Sequence, residues 1–141
     1  MLTLGEANHA IAAALARAQN MKMKIAVSVC DEEGRLVAFQ RMDGVFSESI
    51  PLAIGKAIGA AASRKSRGDK DAVLDLQSVW RVAGAGLPVI TEPGGLPIIC
   101  NAQTVGAIGV SGSATDQEDE QCAKAGAEAL GRSSALRRSP R

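Results

Sequence analysis

Residues 25–41 read IAVSVCDEEGRLVAFQR, two extended runs around one turn. Ile25, Val27 and Val29 alternate with Ala26, Ser28 and Cys30 in the period-two pattern of a strand. Asp31-Glu32-Glu33-Gly34 supplies turn-forming residues, and a second run follows from Arg35 to Arg41. Neighbouring strands joined by so short a connection pair antiparallel, because a parallel return needs a crossover of roughly a dozen residues or more. The hairpin therefore argues against a doubly wound parallel sheet and for an antiparallel sheet with helices on its faces.

Working outward, Thr3-Leu4-Gly5-Glu6 has the S/T-x-x-E spacing of a capping box, and Leu4, Ala7, Ile11, Leu15 and Ala18 recur every three or four residues. This predicts an amphipathic helix to about Asn20. Beyond the hairpin, Met42-Asp43-Gly44 breaks the strand, and Ser47 or Ser49 ahead of Pro51 starts a long helix ending near Arg67-Gly68. Ala53, Ala57, Ala60 and Ala61 form one smooth stripe on it, so the sheet or a second subunit can come close. A shorter helix is expected from Asp71 to about Val82, carrying Trp80, and then two short extended pieces punctuated by Gly84–Pro88 and Glu92–Pro97. Ile98 opens a strand, Asn101-Ala102-Gln103 turns, and Thr104–Val110 forms another strand whose Gly106 and Gly109 mark close approach. The last helix starts at Ser113 or Thr115 with a second capping box, Thr115–Glu118, and ends at Leu130-Gly131. Residues 1–131 are expected to form one domain and residues 132–141 a loose basic tail.

The chain has 141 residues, 46% hydrophobic and 22% charged, enough for one globular domain. Sixteen basic residues against 15 acidic ones give a net charge of +1. Setting aside Arg132, Arg137, Arg138 and Arg141 leaves 12 basic residues, so a mildly acidic body carries a cationic end. That balance lacks the positive field of a nucleic-acid binder, and the only aromatics, Phe39, Phe46 and Trp80, make no stacking platform for bases. No nucleic-acid partner is expected. Cys30, Cys100 and Cys122 are isolated, with no C-x-x-C pair and no histidine nearby, which argues against zinc or iron-sulfur sites and fits a reducing compartment. The polar N-terminus does not read as a signal peptide, and no run reaches the ~18 apolar residues of a membrane span, so a cytoplasmic protein with no membrane partner is expected.

His9 is the single histidine and lies with Glu6, Arg17 and Asn20 opposite the apolar stripe of the first helix. It reads as a surface histidine whose route to metal ligation is a subunit interface. Gly106–Gly112 lies between a strand and a helix, yet it reads G-x-x-G-x-x-G with no GK[ST], and Asp116, Glu118, Asp119 and Glu120 oppose an anion. Ser111 lacks the G-x-S-x-G spacing and a second histidine to serve as base. Nucleotide binding and serine hydrolysis are both disfavoured.

Two glycine turns, Gly94-Gly95-Leu96-Pro97 and Ser111-Gly112-Ser113, present backbone amides able to hold a carboxylate or carbonyl oxygen, although as tight turns they require no ligand. Lys56, flanked by Gly55, Ala57 and Ile58, either pairs with an acid such as Glu48 or Asp119, faces a ligand carboxylate, or makes an interface ion pair. If these groups carry chemistry, the class is a cofactor-independent lyase, hydratase or isomerase acting on a carbonyl or carboxylate substrate. The amides would meet a developing oxyanion, Lys56 or Arg41 would anchor a carboxylate, and Asp119, Glu118 or Glu48 would move the proton. A purely structural assembly role needs only the small-residue helix.

Residues 28–41 with Met42-Asp43-Gly44, SIPLAIGKA at 49–57, GGLPI at 94–98, VGAIGVSG at 105–112, and Asp119-Glu120 ahead of Ala123, Ala125 and Gly126 resemble the GlcG/HbpS family, also known from the C-terminal domain of PduO-type proteins. The resemblance spans roughly residues 3–131. It implies a profilin-like, three-layer α/β/α fold of the α+β type, with a five-stranded antiparallel sheet, assembling as homo-oligomers of two or more chains. It also implies heme or a related tetrapyrrole as the small-molecule ligand, since several relatives bind heme, and no other cofactor. By chemistry the candidate axial ligands are His9, Met21, Met23, Met42 and the three cysteines, with imidazole the commonest. A cytoplasmic, oligomeric heme or tetrapyrrole binder is thus the leading expectation, and the small-molecule enzyme is its alternative.

Overall fold

The structure, a computed structural model, describes residues 1–63 and 89–137, with side chains to residue 130. In chain order the elements are α1 (Leu4–Asn20), β1 (Ala26–Asp31), β2 (Leu36–Arg41), α2 (Ser49–Ser63), β3 (Gly95–Cys100), β4 (Gln103–Ser111) and α3 (Asp116–Arg137). The helix expected from Asp71 to Val82 and the stop at Arg67-Gly68 lie outside the described residues. At the start of α1 the capping box is complete: the Glu6 amide donates to Thr3 Oγ1 at 3.1 Å, and the Thr3 amide donates to Glu6 Oε1 at 3.0 Å. Two of the amides that a helix start leaves free are thereby satisfied.

The sheet is antiparallel throughout, in the order β2-β1-β4-β3. The Asp31 carboxylate closes the first hairpin by accepting from the Glu33 and Arg35 amides at 2.9 and 3.0 Å. The second hairpin turns on Asn101 and Ala102, both at positive φ (52° and 63°), the backbone that a two-residue turn needs to match strand twist. β1 is central, and Ala26–Cys30 are buried in succession because helices cover both sides of it. Val27, Val29, Ile108 and Val110 face α1 and α3 in the main core, while Cys30 and Ala107 face Ala57 and Ala61 of α2. Period-two alternation thus divides each strand between two helical layers.

The alanine stripe of α2 packs on the sheet: Ala53, Ala57 and Ala61 are buried, and the contacting sheet residues are equally small. Ser28 Oγ donates to the Ala53 carbonyl at 2.8 Å and Cys30 Sγ to the Ala57 carbonyl at 3.4 Å. A Cβ at Gly109 would run into the Ala53 carbonyl oxygen and the Ala57 amide. Small residues on both partners bring the helix backbone close to the strands.

Three expectations are corrected. Gly95, Leu96 and Pro97, expected in a glycine turn ahead of a strand opened by Ile98, are the first residues of β3 and pair with Gly109, Ile108 and Ala107. The sheet has four strands among the described residues, one fewer than the resemblance implies. Ahead of β3, the Ile90 amide donates to the Gly55 carbonyl of α2 at 2.9 Å, so this stretch is held by the helix and forms no ladder. The last helix continues through Gly131 to Arg137 and does not stop at Leu130-Gly131. A glycine inside a helix costs about 1 kcal/mol against alanine, too little to end one whose following residues remain helical.

Candidate functional site

Close packing of α2 on β3 and β4 carries Lys56, the one cation among the buried residues described, into the protein, where it is 3% exposed. Its Nζ donates to the Val110 carbonyl at 3.0 Å and to Asp119 Oδ2 at 3.1 Å. Of the acids expected as partners, the structure selects Asp119, in the first turn of α3, where the helix dipole also favours a carboxylate. Asp119 Oδ1 accepts from the Ser113 amide at 3.0 Å and lies 2.5 Å from Ser113 Oγ, which is also 2.8 Å from the Thr115 carbonyl. Next to it, the Gly94 amide donates to Glu120 Oε1 at 2.9 Å. Gly94 has φ +105°, and a Cβ there would press on the Val110 carbonyl, Asp119 Cβ and Lys56 Nζ, so glycine is what lets the turn close over the ion pair.

Lys56, Asp119, Gly94 and Ser113 therefore converge. In this geometry the Gly94 and Ser113 amides donate to α3 carboxylates of the chain itself. Ser111 is buried and paired with Ala26 in the sheet, and Gly112 packs beside Val45 and the Lys24 carbonyl. Arg41, at the end of β2, and Glu48, ahead of α2, are exposed and stand outside the cluster. At Thr115 one half of the expected capping box is present: the Glu118 amide donates to Thr115 Oγ1 at 3.2 Å, while the Glu118 side chain accepts from the Thr115 hydroxyl at 3.1 Å.

A cleft of about 150 Å³ opens beside Lys56, between α2 and the stretch that leads into β3. Ala60, Ser63, Thr91 and Glu92 line it, together with Gly95 and Pro97 from the expected ligand-binding set. Thr91 and Glu92 were not legible as site residues, because their approach to α2 depends on the Ile90–Gly55 hydrogen bond. The sequence marks Glu120 as an acid of the last helix and part of a family-like block, and gives no sign that Gly94, 26 positions away, is its partner. The sequence signals of this site are a lysine inside an apolar, small-residue helix and the two glycine turns that hold Gly94 and Ser113.

Of the candidate axial ligands, His9 is exposed on α1, in a row with the exposed small residues Gly5, Ala12 and Ala16. Burial pushes the Cys30 thiol up to about 12, with the Asp31 charge adding to it. Cys122 rises to about 11, first by burial and then through Asp119, so both remain protonated thiols at neutral pH. Met42 Sδ accepts from the Ile25 amide at 3.3 Å, and Met21 and Met23 pack against the core. Among the described residues no three His, Cys, Asp or Glu side chains gather as a metal site, and no helix is long and apolar enough to cross a membrane.

A family model described as "Haem degrading protein HbpS-like" matches residues 2–128, nearly the whole described domain. The chain belongs to the HbpS-like family. Protein GlcG of Escherichia coli strain K12 is 34% identical over 103 residues, covering 72% of this chain and 74% of that protein. The crystal structure of HbpS matches with a TM-score of 0.73 at 30% identity over 92% of this chain and 90% of that one. A crystal structure described as a PduOC:heme complex, at 24% identity and TM-score 0.71 over 91% of this chain and 94% of that one, shares the fold. The resemblance seen in the sequence motifs is thus to the family that contains the chain, and the three-layer α+β architecture is common to it and to these structures.

Proposed function

We propose that this protein binds heme or a closely related tetrapyrrole on the outer face of α1, with His9 as the iron ligand, and that it does so as a homo-oligomer. Membership in the HbpS-like family supports the ligand class, and the PduOC:heme complex is a protein of the same fold with that ligand bound. One observation carries the reading: His9 is exposed and flanked along α1 by Gly5, Ala12 and Ala16, which leave a flat approach to the imidazole. The other chemically possible ligands fit less well, since Cys30 and Cys122 are buried as thiols and Met42 is engaged with the Ile25 amide. The cleft beside Lys56, about 150 Å³, is well below the ~300–1,000 Å³ of sites that enclose drug-sized ligands. A macrocycle lying on α1 is covered on one side by the helix, and a second copy of the chain covers the other. Bound there, heme would supply redox and oxygen chemistry, and the chain's contribution is to ligate and shield it. The free cysteines support a reducing compartment, the cytoplasm.

Titrating the purified chain with hemin against an albumin-corrected control tests this reading. A saturable Soret shift, lost in His9→Ala, is expected, together with assembly seen by sedimentation. No saturable shift in the unmodified chain overturns it.

The alternative, a cofactor-independent lyase, hydratase or isomerase, draws support from the cleft at Lys56. It is supported less, because both Asp119 oxygens are already engaged and Arg41 and Glu48 stand apart from the cleft. Unchanged turnover of an identified substrate by Lys56→Ala and Asp119→Ala would remove it.

A further inference from the structure

β2 is an edge of the described sheet: β1 pairs with one side of it, and no described strand pairs with the other. Natural edge strands are blunted by proline, by charge or by a bulge, because a bare row of amides and carbonyls recruits another strand. The opposite edge among the described residues, β3, carries Pro97, which has no amide hydrogen to offer. β2 has no proline, and its Leu36–Gln40 stretch, LVAFQ, is uncharged, with a register irregularity only where Cys30 meets Leu36. Leu36 is 48% exposed. The Met42 amide donates to the Ile25 carbonyl at 2.9 Å, which makes theirs a bonded pair. Bonded and non-bonded pairs alternate along an antiparallel ladder, so the Ser28/Phe39 and Ala26/Arg41 pairs are non-bonded. The amides and carbonyls of Phe39 and Arg41 therefore point away from β1.

The two ends of this edge carry opposite, uncommitted charges. Glu32, in the hairpin turn, and Arg41 are both exposed, and neither side chain has a hydrogen bond or ion pair among the described residues. Arg35 is held by Asp31 at 3.0 Å and Glu33 at 3.4 Å, so the turn as a whole is acidic. Parallel pairing of two such strands would set like ends together. Antiparallel pairing about a two-fold axis sets each Arg41 toward the other copy's acidic turn.

We propose that two copies of this chain pair antiparallel through β2, with Phe39 beside the partner's Phe39 at the two-fold axis, joining the four described strands of each into one continuous sheet. This interface lies on the sheet edge, apart from the outer face of α1, and it forms without a tetrapyrrole.

The test uses the purified full chain without added hemin. Sedimentation across a dilution series is expected to show a monomer–dimer equilibrium. Amide hydrogen exchange should slow at Phe39 and Arg41 as the dimer forms, while Gln40, whose amide is bonded to β1 in both states, does not change. Arg41→Glu should weaken the dimer by about tenfold or more, and adding Glu32→Arg should restore it. The proposal is overturned if the chain is monomeric throughout, or if Phe39 and Arg41 exchange freely in a dimer, which then uses another surface. It is equally overturned if their protection persists in the dilute monomer, where the chain's own residues must cover the edge, or if Arg41→Glu leaves the dimer unchanged. The exchange pattern of the unmodified chain decides the matter even where a variant does not fold.

Discussion

Lys56 Nζ and Asp119 Oδ2 lie 3.1 Å apart between α2 and α3, with their side chains 3% and 6% exposed. Such a pair is desolvated on both sides, so its mutual attraction roughly offsets the cost of taking two charges out of water, whereas either charge alone is strongly unfavourable. The pair joins helices from opposite faces of the sheet and fixes the turns at Gly94 and Ser113 between them.

Removing one partner leaves the other charged and buried. Lys56→Met is expected to lower stability by about 3–5 kcal/mol, and Asp119→Leu by at least as much because it also strands the Ser113 amide. The double variant should lose much less than the sum. Urea unfolding in a double-mutant cycle measures this, and additive losses would show that the two groups are not coupled.

Glycine tolerance should differ sharply by position. At Gly109, alanine would push α2 off the sheet, and a loss of about 3 kcal/mol or more is expected. At Gly5, exposed on α1 with its nearest neighbour Thr3 Oγ1 3.9 Å from a new Cβ, alanine should raise stability by about 0.5 kcal/mol. Equal effects from the two substitutions would contradict the close packing of α2.

Cys30 gives stability a pH dependence on the alkaline side. Its pKa rises from 9.0 to about 12 on folding, so between those values the unfolded chain has released a proton that the folded chain retains. Its contribution is complete below pH 9 and falls as pH rises, by up to about 1.4 kcal/mol per pH unit. Cys30→Ser, whose hydroxyl does not titrate there and can still donate to Ala57, should flatten the alkaline slope in unfolding curves by that amount.

His9 is exposed, so His9→Ala should change stability by no more than about 0.5 kcal/mol. Loss of hemin binding with unchanged thermal unfolding separates a ligand from a structural residue. A large drop in stability would show that the imidazole holds the fold.

The hairpin at residues 25–41, the capping box at Thr3, the helix start at Thr115, and the break at Met42–Gly44 were readable because each rests on residues close in sequence. Lys56 stood out for the same local reason, as a cation inside a run of alanines and glycines. Its partner did not, since Glu48 and Asp119 were equally good on paper. The end of the last helix was misread at Gly131, where a local stop signal is weaker than continued helical hydrogen bonding.

Element identity and strand alternation follow from short-range sterics and period, which is why composition and spacing alone determined an antiparallel sheet flanked by amphipathic helices. The layer that covers Ser28 and Cys30, the choice of Asp119 for Lys56, and the meeting of Thr91 and Glu92 with Ala60 and Ser63 were decided only in three dimensions. They depend on how closely α2 settles on the strands, a distance set jointly by Ala53, Ala57, Ala107 and Gly109 across two separate stretches of chain.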